Sequence, residues 1–137
     1  MLYSWLWPLH GILMGLSFLS LLSGIIVSLF FKRSKWRIPV HRRLGLIGAA
    51  CGLAGILVAF IMIQAAGGYH LTGLHALLGS LTGLLMILNP VIGLNLAKFR
   101  NPKRMRKLHR LIGYAAMVLM TVTVILGLRF AFFLLAA

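Results

Sequence analysis

Apolar residues run almost without interruption through four stretches of this chain, about residues 9–31, 41–63, 72–96 and 108–130. Each is long enough to cross roughly 30 Å of hydrocarbon as a helix. The links at 32–40 and 97–107 are strongly basic, whereas the link at 64–71 is uncharged and carries Gly67 and Gly68. Short links make sequential neighbours antiparallel, so the pattern predicts an all-α, up-down four-helix membrane bundle forming one domain over 1–137. The two halves read as one hairpin used twice. His10, an apolar run, a basic link and His41 are followed by His75, an apolar run, a basic link and His109. Val40-His41-Arg42-Arg43-Leu44-Gly45 also echoes Leu108-His109-Arg110-Leu111-Ile112-Gly113. Such a parallel repeat implies a pseudo-two-fold axis along the membrane normal.

Composition supports the membrane assignment and removes much chemistry. The 137 residues are 61% hydrophobic, against roughly 45–50% for soluble domains. There are 14 Lys and Arg and no Asp or Glu. All these cations except Arg129 fall in or beside the two basic links, the positive-inside pattern of cytoplasmic loops rather than a nucleic-acid-binding face. Both chain termini are then expected on the non-cytoplasmic side. Without carboxylates, paired-acid hydrolysis, carboxylate-held Mg or Ca, and acidic proton relays have no residues to work with. Cys51 is the single cysteine, so there is neither a disulfide framework nor a CxxCH haem attachment; it reads as a small buried apolar residue. The first residues lack the basic segment and cleavage site of a signal peptide, so the first run is expected to be a true transmembrane helix.

Topology places the histidines in pairs. His10 and His75 begin runs one and three at the non-cytoplasmic side; His41 and His109 begin runs two and four at the cytoplasmic side. In a square bundle runs one and three are diagonal, as are two and four, so each histidine faces a partner across the axis at similar depth. The two levels are separated by at most about 30 Å, the rise of one spanning helix. A helix repeats its face at i+4, i+7, i+11 and i+14. From His41 those positions are Gly45, Gly48, Gly52 and Gly55, and from His75 they are Gly79, Thr82, Met86 and Asn89. From His109 they are Gly113, Ala116, Met120 and Thr123, and from His10 they are Met14, Ser17, Leu21 and Gly24. The histidine faces are rich in small residues. Such residues also serve close helix packing, but packing alone does not need a histidine at the head of every stripe.

Neutral imidazole is a common metal ligand. Two facing histidines with no carboxylate or thiolate make a poor zinc site, which wants three or four protein ligands. Axial ligation of haem iron needs only two, from facing helices in a bundle core. One histidine alone could be a cap or an interface anchor; four in matched pairs point to metal ligands, for two non-covalent haems. Gly45, Gly79 and Gly113, one turn beyond His41, His75 and His109, leave room for a macrocycle edge. Lys35, Arg37, Arg42, Arg43 and Arg110 could pair with haem propionates at the cytoplasmic side, although basic loops also serve topology and anionic lipid. Arg129, about 200° around from His109, is expected to snorkel outward, which leaves Tyr69, His70 or water for the other haem. His70 itself lies off the His75 face, in the link. Asn89 lies within about 40° of that face, just before a kinking Pro90, and reads as a partner of the cytoplasmic haem or as a helix–helix contact.

His10-Gly11-Ile12-Leu13-Met14, Leu74-His75-Ala76-Leu77-Leu78-Gly79 and Leu108-His109-Arg110-Leu111-Ile112-Gly113 resemble the core helices of the cytochrome b561 family, in the form found beside DOMON domains. The resemblance spans nearly the whole chain. It implies His10 with His75 for one haem b and His41 with His109 for the other. It also implies an oxidoreductase that moves electrons across the membrane, from a donor such as ascorbate to an acceptor such as ferric iron or a radical. The chain departs from the family in having only the four core helices, no DOMON domain and no clear counterpart of the ascorbate-side motifs. An alternative is a haem-bearing anchor subunit of a larger quinone-linked complex, and a further one is a non-redox membrane scaffold. Association into an oligomer or complex stays open between them.

Overall fold

A computed structural model describes the backbone of residues 2–136 and the side chains of residues 4–129 and 132. Four long helices are present: α1 (Leu2–Phe30), α2 (Arg37–Ala65), α3 (Leu74–Leu94) and α4 (Pro102–Ala136), with a 3-10 turn at Leu96–Lys98 before α4. All four are long and apolar enough to cross a membrane. The molecule is an integral, multi-pass membrane bundle. Its basic end carries the turns between α1 and α2 and between α3 and α4. Its other end, here the terminal end, carries the α2–α3 link and both chain termini.

Three helices begin before their apolar runs, because apolarity marks the hydrocarbon and not the end of a helix. α1 begins at Leu2, seven residues before the expected start, with Pro8 inside it. α2 starts at Arg37 and α4 at Pro102, so part of each basic tract is helical rather than loop. Lys and Arg are good helix formers. Pro39 and Pro102 sit in first turns, where the missing N–H would have had no intrahelical partner. Asn101 caps α4, its Oδ1 accepting the Arg104 N–H at 3.1 Å. α2 ends where Gly67 turns left-handed at φ 67°. The Gly68 N–H then reaches back to the Ile63 carbonyl and the Gly67 N–H to that of Gln64. This closing arrangement favours a residue without a Cβ at position 67.

α1 packs along α2 and α3 along α4, while contact between the two hairpins is sparser and the diagonal pairs barely approach. The molecule is therefore two hairpins standing face to face, the α1–α2 hairpin packed more closely than the α3–α4 one. Its interior is the set of histidine-headed faces: among the described residues, only Ala49 and Gly83 are buried off those faces. Met14 and Ser17, Gly48 and Gly52, Thr82 and Met86, and Ala116 and Met120 fill the middle. The large apolar side chains, among them Leu16, Leu57, Leu84 and Val118, point outward, as lipid-facing surfaces require. Cys51, expected to be buried, is only half-buried on a flank of α2.

The first hairpin is fastened by small residues and hydroxyls. Ser17 Oγ donates to the Gly48 carbonyl at 2.7 Å and Ser20 Oγ to that of Leu44 at 2.9 Å. Within hydrocarbon, interhelical bonds of this kind contribute about 1–2 kcal/mol at most. Gly48 lets the two backbones meet, for a Cβ there would lie 2.6 Å from Leu21 Cγ and 3.2 Å from the Leu21 main-chain N. A backbone atom cannot step aside like a side-chain tip. Gly48→Ala is therefore expected to destabilise the bundle by about 1–3 kcal/mol, read as a lowered thermal midpoint in detergent; an unchanged midpoint would contradict this packing.

Candidate functional site: two imidazole pairs

The four stripe-heading histidines come together as two pairs, in the diagonal pairing that topology predicts. His10 and His75 face each other at the terminal end with ring centroids 6.4 Å apart and planes at 82°. His41 and His109 do so at the basic end, at 6.1 Å and 85°. Edge-to-face aromatic rings commonly sit at such distances, so spacing alone decides nothing. The nitrogen partners do.

Every one of the four rings places Nδ1 against a main-chain carbonyl of the neighbouring helix in its own hairpin. The distances are 2.8 Å for His10 to Gly55 and 2.9 Å for His41 to Gly24. They are 3.0 Å for His75 to Thr123 and 3.1 Å for His109 to Asn89. A carbonyl can only accept, so Nδ1 carries the proton and donates. In a neutral ring the lone pair is then on Nε2, the atom that can bind a metal. Orienting one ring nitrogen through the other is how ligand histidines are generally held.

The acceptors follow a rule. Gly24, Gly55, Asn89 and Thr123 each lie fourteen residues after the histidine of their own helix. Fourteen residues are close to four turns, so histidine and acceptor share a face. Each helix thus offers a ring at one end and a carbonyl at the other, and the two helices of a hairpin clasp each other reciprocally. The same count sets the depth between the pairs at roughly 21 Å, well inside the 30 Å limit set by a whole span.

Small residues next to these contacts complete the geometry. A Cβ on Gly93 would lie 2.7 Å from His109 Cε1, and one on Gly127 would lie 3.0 Å from His75 Cε1. Both glycines sit one turn beyond an acceptor, at Asn89+4 and Thr123+4. Neither belongs to the face set drawn from the histidines, although a glycine eighteen residues after His75 and His109 is the signal that marks them. The glycines expected to flank a macrocycle behave differently. Nothing approaches a Cβ at Gly45 within 4 Å, and at Gly79 only Thr123 Cγ2 does, at 3.6 Å. Gly113 abuts the Asn89 amide, whose Nδ2 would be 3.0 Å from a Cβ there.

The other expected residues lie outside the pairs. Arg42 and Arg43 are exposed and line a groove with Ile38, Pro39 and Leu46 on the outer flank of α2. Lys35, Arg110 and Arg129 are exposed too, Tyr69 strongly so, and Arg37 is half-buried at the start of α2. His70 stacks on Phe60 at 4.9 Å and bonds Gln64 Oε1 through Nε2 at 3.1 Å, in the α2–α3 link. Among the described residues no three His, Cys, Asp or Glu side chains gather as a metal site.

The family profile described as "Eukaryotic cytochrome b561" matches residues 9–134, almost the whole chain. The chain belongs to the cytochrome b561 family. No curated protein and no solved structure matches it at a comparable level of significance. Membership makes the chain a b-type haem protein of transmembrane electron transfer. Because a Cβ on Gly127 would crowd the His75 ring, Gly127→Val is expected to lower the haem retained per purified chain. Gly11→Ala, at a position with open space around it, should leave haem content unchanged in the same purification. Equal haem in both variants would contradict the clasp.

Proposed function

We propose that the chain carries electrons across the membrane through two b-type haems, one held by His10 and His75 and the other by His41 and His109. The observation that supports this most is the combination of ring separation and tautomer. Two axial imidazoles on one iron need a metal–nitrogen bond of roughly 2 Å on each side. Adding about 1.1 Å from each Nε2 to its ring centre gives a centroid separation of roughly 6.2 Å, against 6.4 and 6.1 Å here. All four rings have the proton on Nδ1, which is the tautomer a ligand histidine requires. The open space at Gly45 and the near-open space at Gly79 fit a flat group between the hairpins.

In this reading haem supplies a one-electron couple, and the chain's residues supply position and surroundings. The carbonyls of Gly55, Thr123, Gly24 and Asn89 fix ring orientation. Gly93 and Gly127 give the rings space to stand. Met14, Ser17, Thr82, Met86 and Met120 keep the roughly 21 Å between the levels packed and dry. With the basic end cytoplasmic, as the positive-inside rule requires, the His41/His109 level faces the cytoplasm and both termini face the other side. The donor and acceptor are of the kinds that exchange single electrons with a haem edge, such as a quinol, an enediol like ascorbate, or ferric iron.

The two levels are separately built, so they separate by mutation. His75→Ala is expected to remove one of two haems per chain and to leave a reduced-minus-oxidised spectrum with about half the amplitude. His41→Ala is expected to remove the other. Loss of both haems from one substitution in a chain that still folds, or of neither, would overturn the pairing.

A further inference from the structure

One residue of the repeat brings a side-chain amide to the ring-holding positions. Of the four positions fourteen residues after a histidine, two are glycine (Gly24 and Gly55) and a third, Thr123, closes its hydroxyl onto the Leu119 carbonyl of its own helix at 2.8 Å. The fourth is Asn89. Its main chain holds His109, and its side-chain amide lies against α4 beside Gly113, one turn inward from that ring. Its Oδ1 is buried and makes no hydrogen bond. A buried amide oxygen without a partner is unfavourable, and within hydrocarbon no lipid group can satisfy it. The positions equivalent to Asn89 show that the fold does not need a polar side chain here.

Resting on the two-haem reading, we infer that Asn89 is a positioning and tuning residue for the basic-end haem, its side-chain amide being a polar contact of the His41/His109 site. An amide dipole in a dry pocket acts at low dielectric, where its field on a nearby charge-changing centre is weakly screened. Hydrogen bonding and polarity around a haem are among the protein's means of setting its potential. One side chain thus gives the basic-end level a means of tuning that the repeat itself does not supply. The main-chain carbonyl that orients His109 is untouched by changing that side chain.

The test is a spectroelectrochemical titration of purified wild type, Asn89→Leu and Asn89→Gly, the glycine variant restoring what the repeat carries at position 24. The transition belonging to the basic end is identified as the one that His41→Ala removes. Both haems should be retained, with the midpoint of that transition displaced and the other unchanged. Loss of the basic-end haem alone also upholds the contact. No displacement, an equal displacement of both, a displacement confined to the terminal end or loss of both haems in both variants overturns it. A wild type that lacks two haem transitions refutes the two-haem reading instead, so the two failures are distinct.

Discussion

The hydrogen bond from imidazole Nδ1 to a main-chain carbonyl across a hairpin is the contact on which the rest of the bundle depends. It answers a problem set by composition. Ligand histidines are commonly oriented by carboxylates, carbonyls or water, and this chain has no Asp or Glu. In hydrocarbon, the acceptors always at hand are the helix carbonyls themselves. Taking one from the neighbouring helix fixes the ring and, in the same contact, ties the hairpin together. The reciprocal arrangement follows from spacing: with histidine and acceptor fourteen residues apart on every helix, one register aligns both ends of a hairpin.

That register in turn dictates the small residues. A ring that reaches a carbonyl on the next helix lies close to its backbone. A Cβ would press on the His109 ring at Gly93 and the His75 ring at Gly127, while Gly24 lies against the His41 ring. The larger inward side chains, Met14, Met86 and Met120, are confined to the middle, between the two levels. A flexible thioether fills an irregular gap well, and Met86 does so beside Ser17 at the space left by Gly52. The interior thus alternates between ends kept open around the rings and a centre kept closed. Strong packing within hairpins and sparse packing between them give the same picture at the scale of whole helices.

Much of this was legible in the residues, for a physical reason. A helix in lipid shows its inward face by the small and polar residues it carries, so the four histidine stripes named nearly every buried residue, and up-down topology named the diagonal partners. What stayed hidden has reasons too. A carbonyl acceptor belongs to the backbone and leaves no residue-type signature, although the acceptors sit at the last positions of the stripes. Gly93 and Gly127 lie one turn further on, past the faces drawn from the histidines. The helix starts at Arg37 and Pro102 were misplaced because basic residues end a hydrocarbon span without ending a helix. Asn89 was visible as a polar residue on the right face, but its buried, unpartnered oxygen emerges only from three dimensions.

The central claim is that each imidazole pair supplies both axial ligands of one iron. The most direct measurement is a haem-to-protein ratio on the purified oxidised protein together with its electron paramagnetic resonance spectrum. The account predicts two haems per chain, both ferric low-spin and six-coordinate, with no high-spin signal. A ratio of one or none, or a high-spin five-coordinate iron at either level, would contradict it.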